Sequence, residues 1–243
     1  MKFLLLSAVS FIVAFVFALG GLGSAVALIP IMVFLGVPFS LARPAGLFTN
    51  FLSTLSATLH NLKEGLIDFK LALPLLVSSI LFAPAGAYLS TVLPEKVVAL
   101  AFTAFLIFAG VMSFLPKSSL LNLTGSRLYP FFVGALAGVV SGLLGVGGGG
   151  LIAPLLIVGG YNPKKVAPAT AFVVLFSSLS AFLAYWKLGR VDWELTLAVA
   201  LPAAAAGYLG ALVSHRFLTP SQIKKVLGAV FIILAVKFLT KFL

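Results

Sequence analysis

Apolar residues run in blocks along the chain, at 3–19, 25–36, 45–60, 70–91, 96–115, 128–144, 150–160, 169–186, 194–213 and 222–240. Most are long enough for a bilayer-spanning helix, which needs about 20 apolar residues at 1.5 Å rise each. The interruptions carry the chemistry that stops a helix. Gly20-Gly21-Leu22-Gly23, Gly36-Val37-Pro38, Arg43-Pro44, Lys63-Glu64-Gly65, Leu93-Pro94-Glu95-Lys96 and Pro116-Lys117 supply flexible glycine, donor-free proline and charge. The pattern predicts an all-α polytopic membrane protein. The N-terminal block, behind Met1 and Lys2, reads as its first membrane helix rather than a leader, because it is long for a signal-peptide core. Two blocks, 25–36 and 150–160, are too short to cross comfortably, and each follows a glycine cluster.

The blocks repeat. Sliding the chain on itself by 124 residues places Gly21 on Gly145, Gly23 on Gly147, Pro30 on Pro154 and Gly36 on Gly160. The same offset places Pro44-Ala45 on Pro168-Ala169, Ser53 on Ser177, Lys63 on Lys187, Gly65 on Gly189 and Asp68 on Asp192. About 20 of 70 positions agree without a gap, and matched Gly, Pro, Lys and Asp are not what two merely apolar segments share by chance. The chain therefore divides into an N-terminal transmembrane repeat (1–116), an inter-repeat loop (117–127) and a C-terminal transmembrane repeat (128–243). Five crossings per repeat make the repeats inverted. Four crossings, with the short block dipping in and returning, make them parallel. Five is the favoured count.

Composition agrees with this class. Hydrophobic residues are 62% and charged residues 9% of 243 positions, with a mean hydropathy of +1.23. A soluble domain carries about one quarter charged residues. Residence in the cell inner (plasma) membrane as a multi-pass protein is expected, and the lipid bilayer is its main partner. The net charge of +11 fits basic loops against anionic headgroups and an anionic cargo. Nucleic acid is not expected, since no basic stripe interleaved with aromatics occurs. A homo-oligomer is left open. The absence of Cys and the two isolated histidines, His60 and His215, leave no thiol chemistry, iron–sulfur cluster or zinc motif, and no cofactor is expected.

The run Gly145-Val146-Gly147-Gly148-Gly149-Gly150 formally satisfies a dinucleotide fingerprint. The strand, soluble helix and later acid that such a site requires are missing. Two readings remain. The glycines could allow close helix packing, or they could break a helix. Consecutive glycines disfavour regular helix, and unwound backbone is tolerated at membrane depth where it lines a cavity or is buried in protein. A helix restarting at Leu151, with Pro154 in its early turns, would turn free N–H groups and its positive dipole end toward the break. Gly20 to Ser24 supply a second copy. Two such ends at a repeat interface would cradle an oxyanion without a charged side chain.

Leu143-Leu144-Gly145-Val146-Gly147-Gly148-Gly149, followed by Pro154, Ala169-Thr170 and Ser177-Ser178-Leu179-Ser180, resembles the TauE/SafE family of membrane permeases. The likeness covers nearly the whole chain, although the first half carries Leu22 and Ser24 where the second has Val146 and Gly148. The resemblance implies transport of a sulfur-containing anion such as sulfite or an organosulfonate.

The candidate substrate-binding residues are Gly21, Gly23, Ser24, Asn50, Ser53, Gly147, Gly148, Gly149, Thr170, Ser177 and Ser178. Serine and threonine in membrane helices often bond their own carbonyls, whereas the Asn50 amide is harder to satisfy that way. Arg43 reads as a loop anchor facing lipid, with attraction of cargo as the alternative. Asp68 and Asp192 read as helix caps. All five acids, Glu64, Asp68, Glu95, Asp192 and Glu194, fall in or beside predicted loops, so the coupling carboxylate of many carriers is not evident. That keeps a passive anion channel as the alternative. A membrane-embedded enzyme lacks its nucleophile–base pair or metal cluster, and the chain is not expected to be one.

Overall fold

The structure, a computed structural model, describes residues 2–19, 23–114, 121–126, 128–217 and 220–242. These form α1 (Lys2–Leu19), α2 (Ala25–Phe34), α3 (Phe39–Lys63), α4 (Phe69–Val92), α5 (Glu95–Phe114), α6 (Leu128–Leu144), α7 (Gly149–Val158), α8 (Pro163–Lys187), α9 (Trp193–Phe217) and α10 (Pro220–Phe242). No strand occurs among the described residues. Of these helices, α4, α5 and α8 are each long and apolar enough to cross a membrane. Leu73, Val77, Leu81, Leu100, Ile107, Phe132, Leu201 and Ile233 stand exposed. An outer surface this apolar suits lipid, not water.

Each apolar block has become one helix, with two informative differences. The sequence predicts a loop around Arg43-Pro44, yet α3 begins at Phe39, so both residues lie inside the helix. Phe39 is buried, with its ring centroid 5.6 Å from Phe102 and 5.3 Å from Phe238. That anchor starts the helix, and Pro44, its sixth residue, lies inside it without an N–H to offer the Ser40 carbonyl. Likewise α8 starts at Pro163, behind the Asn162 side chain, which accepts from the Lys164 amide at 2.9 Å. The starts of α2 and α7, and of α3 and α8, are each offset by the 124-residue period.

Helices from the two halves interleave. α6 lies against α4, α1 against α9, and α5 against α10. α6 approaches α4 closely because Gly134, Gly138 and Gly142 share one face. A methyl on Gly142 would lie 2.0 Å from Ala83 O, and one on Gly138 2.5 Å from Ser79 O. α1 is tied to α9 by Ser7 Oγ donating to Ala198 O at 2.7 Å and Ser10 Oγ to Val199 O at 2.6 Å. This arrangement leaves α3 and α8 packed on one another at the centre, with α2 beside α3 and α7 beside α8.

The carbonyl ends of both short helices are closed. Leu121 and Leu123, from the inter-repeat loop, donate their amides to Val158 O and Gly159 O at 3.0 and 2.9 Å. The Tyr129 hydroxyl donates to Leu155 O at 2.6 Å. At α2, Lys241 Nζ donates to Val33 O. The opposite, amide end of α7 points to the glycine break and is not closed in this way among the described residues.

Candidate functional site

The second break spans Gly145 to Gly148, with φ of +83° at Gly145, +77° at Gly147 and +76° at Gly148. L-residues rarely adopt this left-handed backbone, which is why the run is glycine. The helix restarts at Gly149 rather than Leu151, so Gly149 and Gly150 are helical. The dipole and first-turn geometry, not side-chain propensity, carry those two positions. Leu151 and Ile152 already donate to Gly148 O at 3.0 and 3.2 Å. The amides of Val146, Gly147, Gly148, Gly149 and Gly150 have no hydrogen-bond acceptor among the described residues. A run of free N–H groups through left-handed backbone into a helix N-terminus is an anion-attracting concavity.

Asn50 lies between the two breaks. A methyl on Gly23 would sit 2.1 Å from Asn50 Oδ1, and a methyl on Gly147 would sit 2.1 Å from Asn50 Nδ2 and 2.7 Å from Ser178 Oγ. Gly23 and Gly147, equivalent under the 124-residue offset, thus press on opposite ends of one carboxamide. Asn50 is fully buried on α3 and donates Nδ2–H to Ser178 Oγ of α8 at 3.0 Å, leaving Oδ1 without a partner. A hydroxyl can donate or accept, so the carboxamide turned over keeps the Ser178 bond and offers N–H to the first break instead. The Ser177 hydroxyl fixes the second break by donating to Gly147 O at 3.2 Å.

The other sequence-predicted residues sort around this centre. Thr170 lies beside Gly149, with its methyl 3.7 Å from a methyl added there, and its hydroxyl is buried without a partner. The Ser24 hydroxyl is likewise buried without a partner and makes no cap bond. Two residues are turned elsewhere. Ser53 bonds Asn50 O at 3.2 Å and packs against Gly207 of α9, and Gly148 faces the α6 backbone at Ala137 O. Gly21 lies outside the described residues, as do positions 117–120 and 127 of the inter-repeat loop. The sequence pattern does not single out Ser141, whose Oγ is also buried and unpartnered. Its one visible signal is being the sole serine or threonine in the apolar block 128–144. Buried polar atoms normally find partners, so Ser24, Asn50, Ser141 and Thr170 together mark polar capacity that the protein itself does not fill.

Arg43 corrects the sequence reading most sharply. It is buried, not lipid-facing, and its guanidinium carbon lies 4.8 Å from the Phe39 ring centroid. Among the described residues the only ion pair is Lys165 Nζ with Asp68 Oδ2 at 3.0 Å, which ties the start of α8 to the start of α4. Lys165 holds the Asp68 carboxyl below its usual pKa, against the opposing effect of partial burial, helped by the Leu71 and Lys70 amides. Asp68 and Asp192 accept from first-turn amides at 3.1 and 3.0 Å, as helix caps do.

Apolar helices with an unwound, amide-lined break beside buried polar side chains are features that membrane transporters share. Residues 6–238 match the family model described as "Sulfite exporter TauE/SafE", and the chain belongs to that family. It is 26% identical over 248 residues to the "Probable membrane transporter protein YunE" of Bacillus subtilis, covering 90% of this chain and 91% of that one. It is 28% identical over 243 residues to the "Probable membrane transporter protein y4hK" of Sinorhizobium fredii, covering 94% and 95%. Over 81 residues it is 40% identical to "Sulfite exporter TauE/SafE family protein 1" of Arabidopsis thaliana, covering 33% of this chain and 18% of that protein. No solved structure matches it.

Proposed function

We propose that the protein is a secondary permease of the inner membrane for a small sulfur-containing anion, sulfite or an organosulfonate. The anion binds near the midplane between the two breaks. The observation carrying this reading is the convergence of Gly23 and Gly147 on the Asn50–Ser178 pair, beside the unpaired amides of Val146 to Gly150. Backbone N–H groups and a carboxamide hold a compact oxyanion by several charge-assisted hydrogen bonds, the stronger class of such interactions. The glycines permit an approach that a Cβ would block. The equal 124-residue offsets support two inverted repeats of five helical segments, 1–116 and 128–243, joined by the 117–127 loop. The site is not symmetric, because Asn50 corresponds to Val174 and Ser24 to Gly148. The second half thus gives the larger share of free amides, and the first half gives the carboxamide.

The test is uptake into proteoliposomes of sulfite, thiosulfate, sulfate, sulfoacetate, taurine and plain carboxylates, by wild-type protein and Asn50→Leu. Saturable sulfite or sulfonate flux that Asn50→Leu abolishes supports the reading. No flux of any sulfur anion overturns it. No described carboxylate is buried, which favours a channel as the second reading. Trans-stimulated exchange distinguishes a carrier from that channel.

A further inference from the structure

Arg43 is the only buried charged residue among those described. A guanidinium cannot shed its proton inside a protein, so its charge has to be compensated where it stands. No carboxylate does so. Nη1 donates to Ser90 O and to Leu143 O, both at 3.4 Å, well beyond the roughly 2.7–2.9 Å of a strong charge-assisted bond. Ser90 lies in the last turn of α4, and Leu143 in the last turn of α6. Two negative helix ends therefore face the cation and compensate part of its charge. Nε is buried with no partner at all. Three of the five guanidinium N–H groups remain unspent.

The position of Arg43 gives these spare donors a meaning. Asn50 follows it by seven residues on α3, about 10 Å along the axis and within about 20° of the same face. The second break runs beside that stretch. Gly145 presses on Arg43, where a methyl would lie 2.8 Å from its Cα, and Gly147 presses on Asn50. The second break therefore runs alongside the α3 backbone over the stretch from Arg43 to Asn50. The offset partner of Arg43 is Ala167, so the charge occurs once, on the same helix as the carboxamide.

We infer that Arg43 forms a second anion subsite, about two helical turns along α3 from Asn50, which selects cargo by its charge. This inference rests on the transport reading above. An anion there completes the compensation that the α4 and α6 carbonyls begin, and the guanidinium supplies a full positive charge that backbone amides alone do not. A neutral molecule of the same shape gains nothing from it.

The experiment compares equilibrium binding of two probes of one shape, anionic methanesulfonate and neutral dimethyl sulfone. Wild-type, Arg43→Gln and Arg43→Lys protein are measured in detergent, with the thermal midpoint recorded on each sample. Wild type is expected to prefer the anion. Arg43→Gln is expected to lose about ten- to hundredfold in methanesulfonate affinity, the effect of removing one charge-assisted hydrogen bond, while sulfone affinity stays unchanged. Arg43→Lys keeps the charge without the planar fork, so it should fall between the two. A residue that merely caps α4 and α6 would lower the thermal midpoint and leave the anion-to-sulfone ratio of surviving protein as in wild type, which overturns the inference. If Arg43→Gln does not fold, Arg43→Lys decides alone, since an unchanged ratio there also overturns it. Wild-type protein that binds neither methanesulfonate nor sulfite overturns the transport reading, and this subsite with it.

Discussion

Replacing Gly23 by alanine would place a methyl carbon 2.1 Å from Asn50 Oδ1 and 3.0 Å from its Cγ. The Asn50 side chain has to move, which breaks its 3.0 Å bond to Ser178 Oγ. A buried amide left without a partner costs about 1–3 kcal/mol, which sets the expected drop in stability. Cargo affinity falls with it, by about tenfold for each 1.4 kcal/mol of binding free energy removed. The assay is a double-mutant cycle of Gly23→Ala with Asn50→Ala, reading chemical or thermal denaturation in detergent together with sulfite binding. With the carboxamide removed, Gly23→Ala loses that clash, and its penalty should shrink by more than the roughly 0.5 kcal/mol within which independent sites add. An equal penalty in both backgrounds would refute the placement of Asn50 against the first break. A penalty in stability with sulfite affinity untouched would refute its role in binding.

Other outcomes follow from the same geometry. Gly147→Ala and Gly148→Ala share a left-handed backbone, so both should lose about 1–2 kcal/mol or more of stability. Only Gly147→Ala, whose methyl meets Asn50 and Ser178 rather than the α6 backbone, should also lose sulfite affinity; equal affinity losses would contradict the division. Ser178→Cys should react with a small water-soluble thiol reagent more slowly when sulfite is present, and labelling indifferent to sulfite counts against the site. Asp68 has its folded-state pKa lowered, chiefly by Lys165. Its stabilising contribution is therefore present above the unfolded value of about 4 and is lost as pH falls through the folded one. Asp68→Asn should lower the thermal midpoint at neutral pH and flatten its decline in acid, as pH-dependent melts can check.

Much of the architecture is legible in the sequence because membrane helices write themselves as long apolar blocks. The glycine clusters likewise announce where α2 and α7 begin. The starts of α3 and α8 are hidden, since their opening two turns carry Ser40, Arg43, Lys164 and Lys165 and look like loops to any hydropathy reading. What begins them is tertiary in one case, the burial of Phe39 against Phe102 and Phe238, and a local Asn162 cap in the other. The burial of Arg43 is unreadable for the same reason: its surroundings are the ends of α4 and α6, far away in sequence. One signal does exist, because Arg43 has alanine at its offset position whereas the loop charges Lys63 and Asp68 recur as Lys187 and Asp192. For the candidate site, period and composition pick out Gly23, Gly147, Asn50 and Ser178. That the first two press on opposite ends of the Asn50 carboxamide is a property of helix packing, which a linear pattern does not encode.

Selenite has the shape and charge of sulfite and scatters anomalously at the selenium edge. Crystals of the protein grown with selenite, measured at that edge, locate the anion directly. The account predicts a peak within hydrogen-bond distance of the Gly147 or Gly149 amide and of the Asn50 carboxamide, weakened when sulfite competes. Peaks confined to exposed lysines at the helix ends, with the space between the two breaks empty, would contradict it.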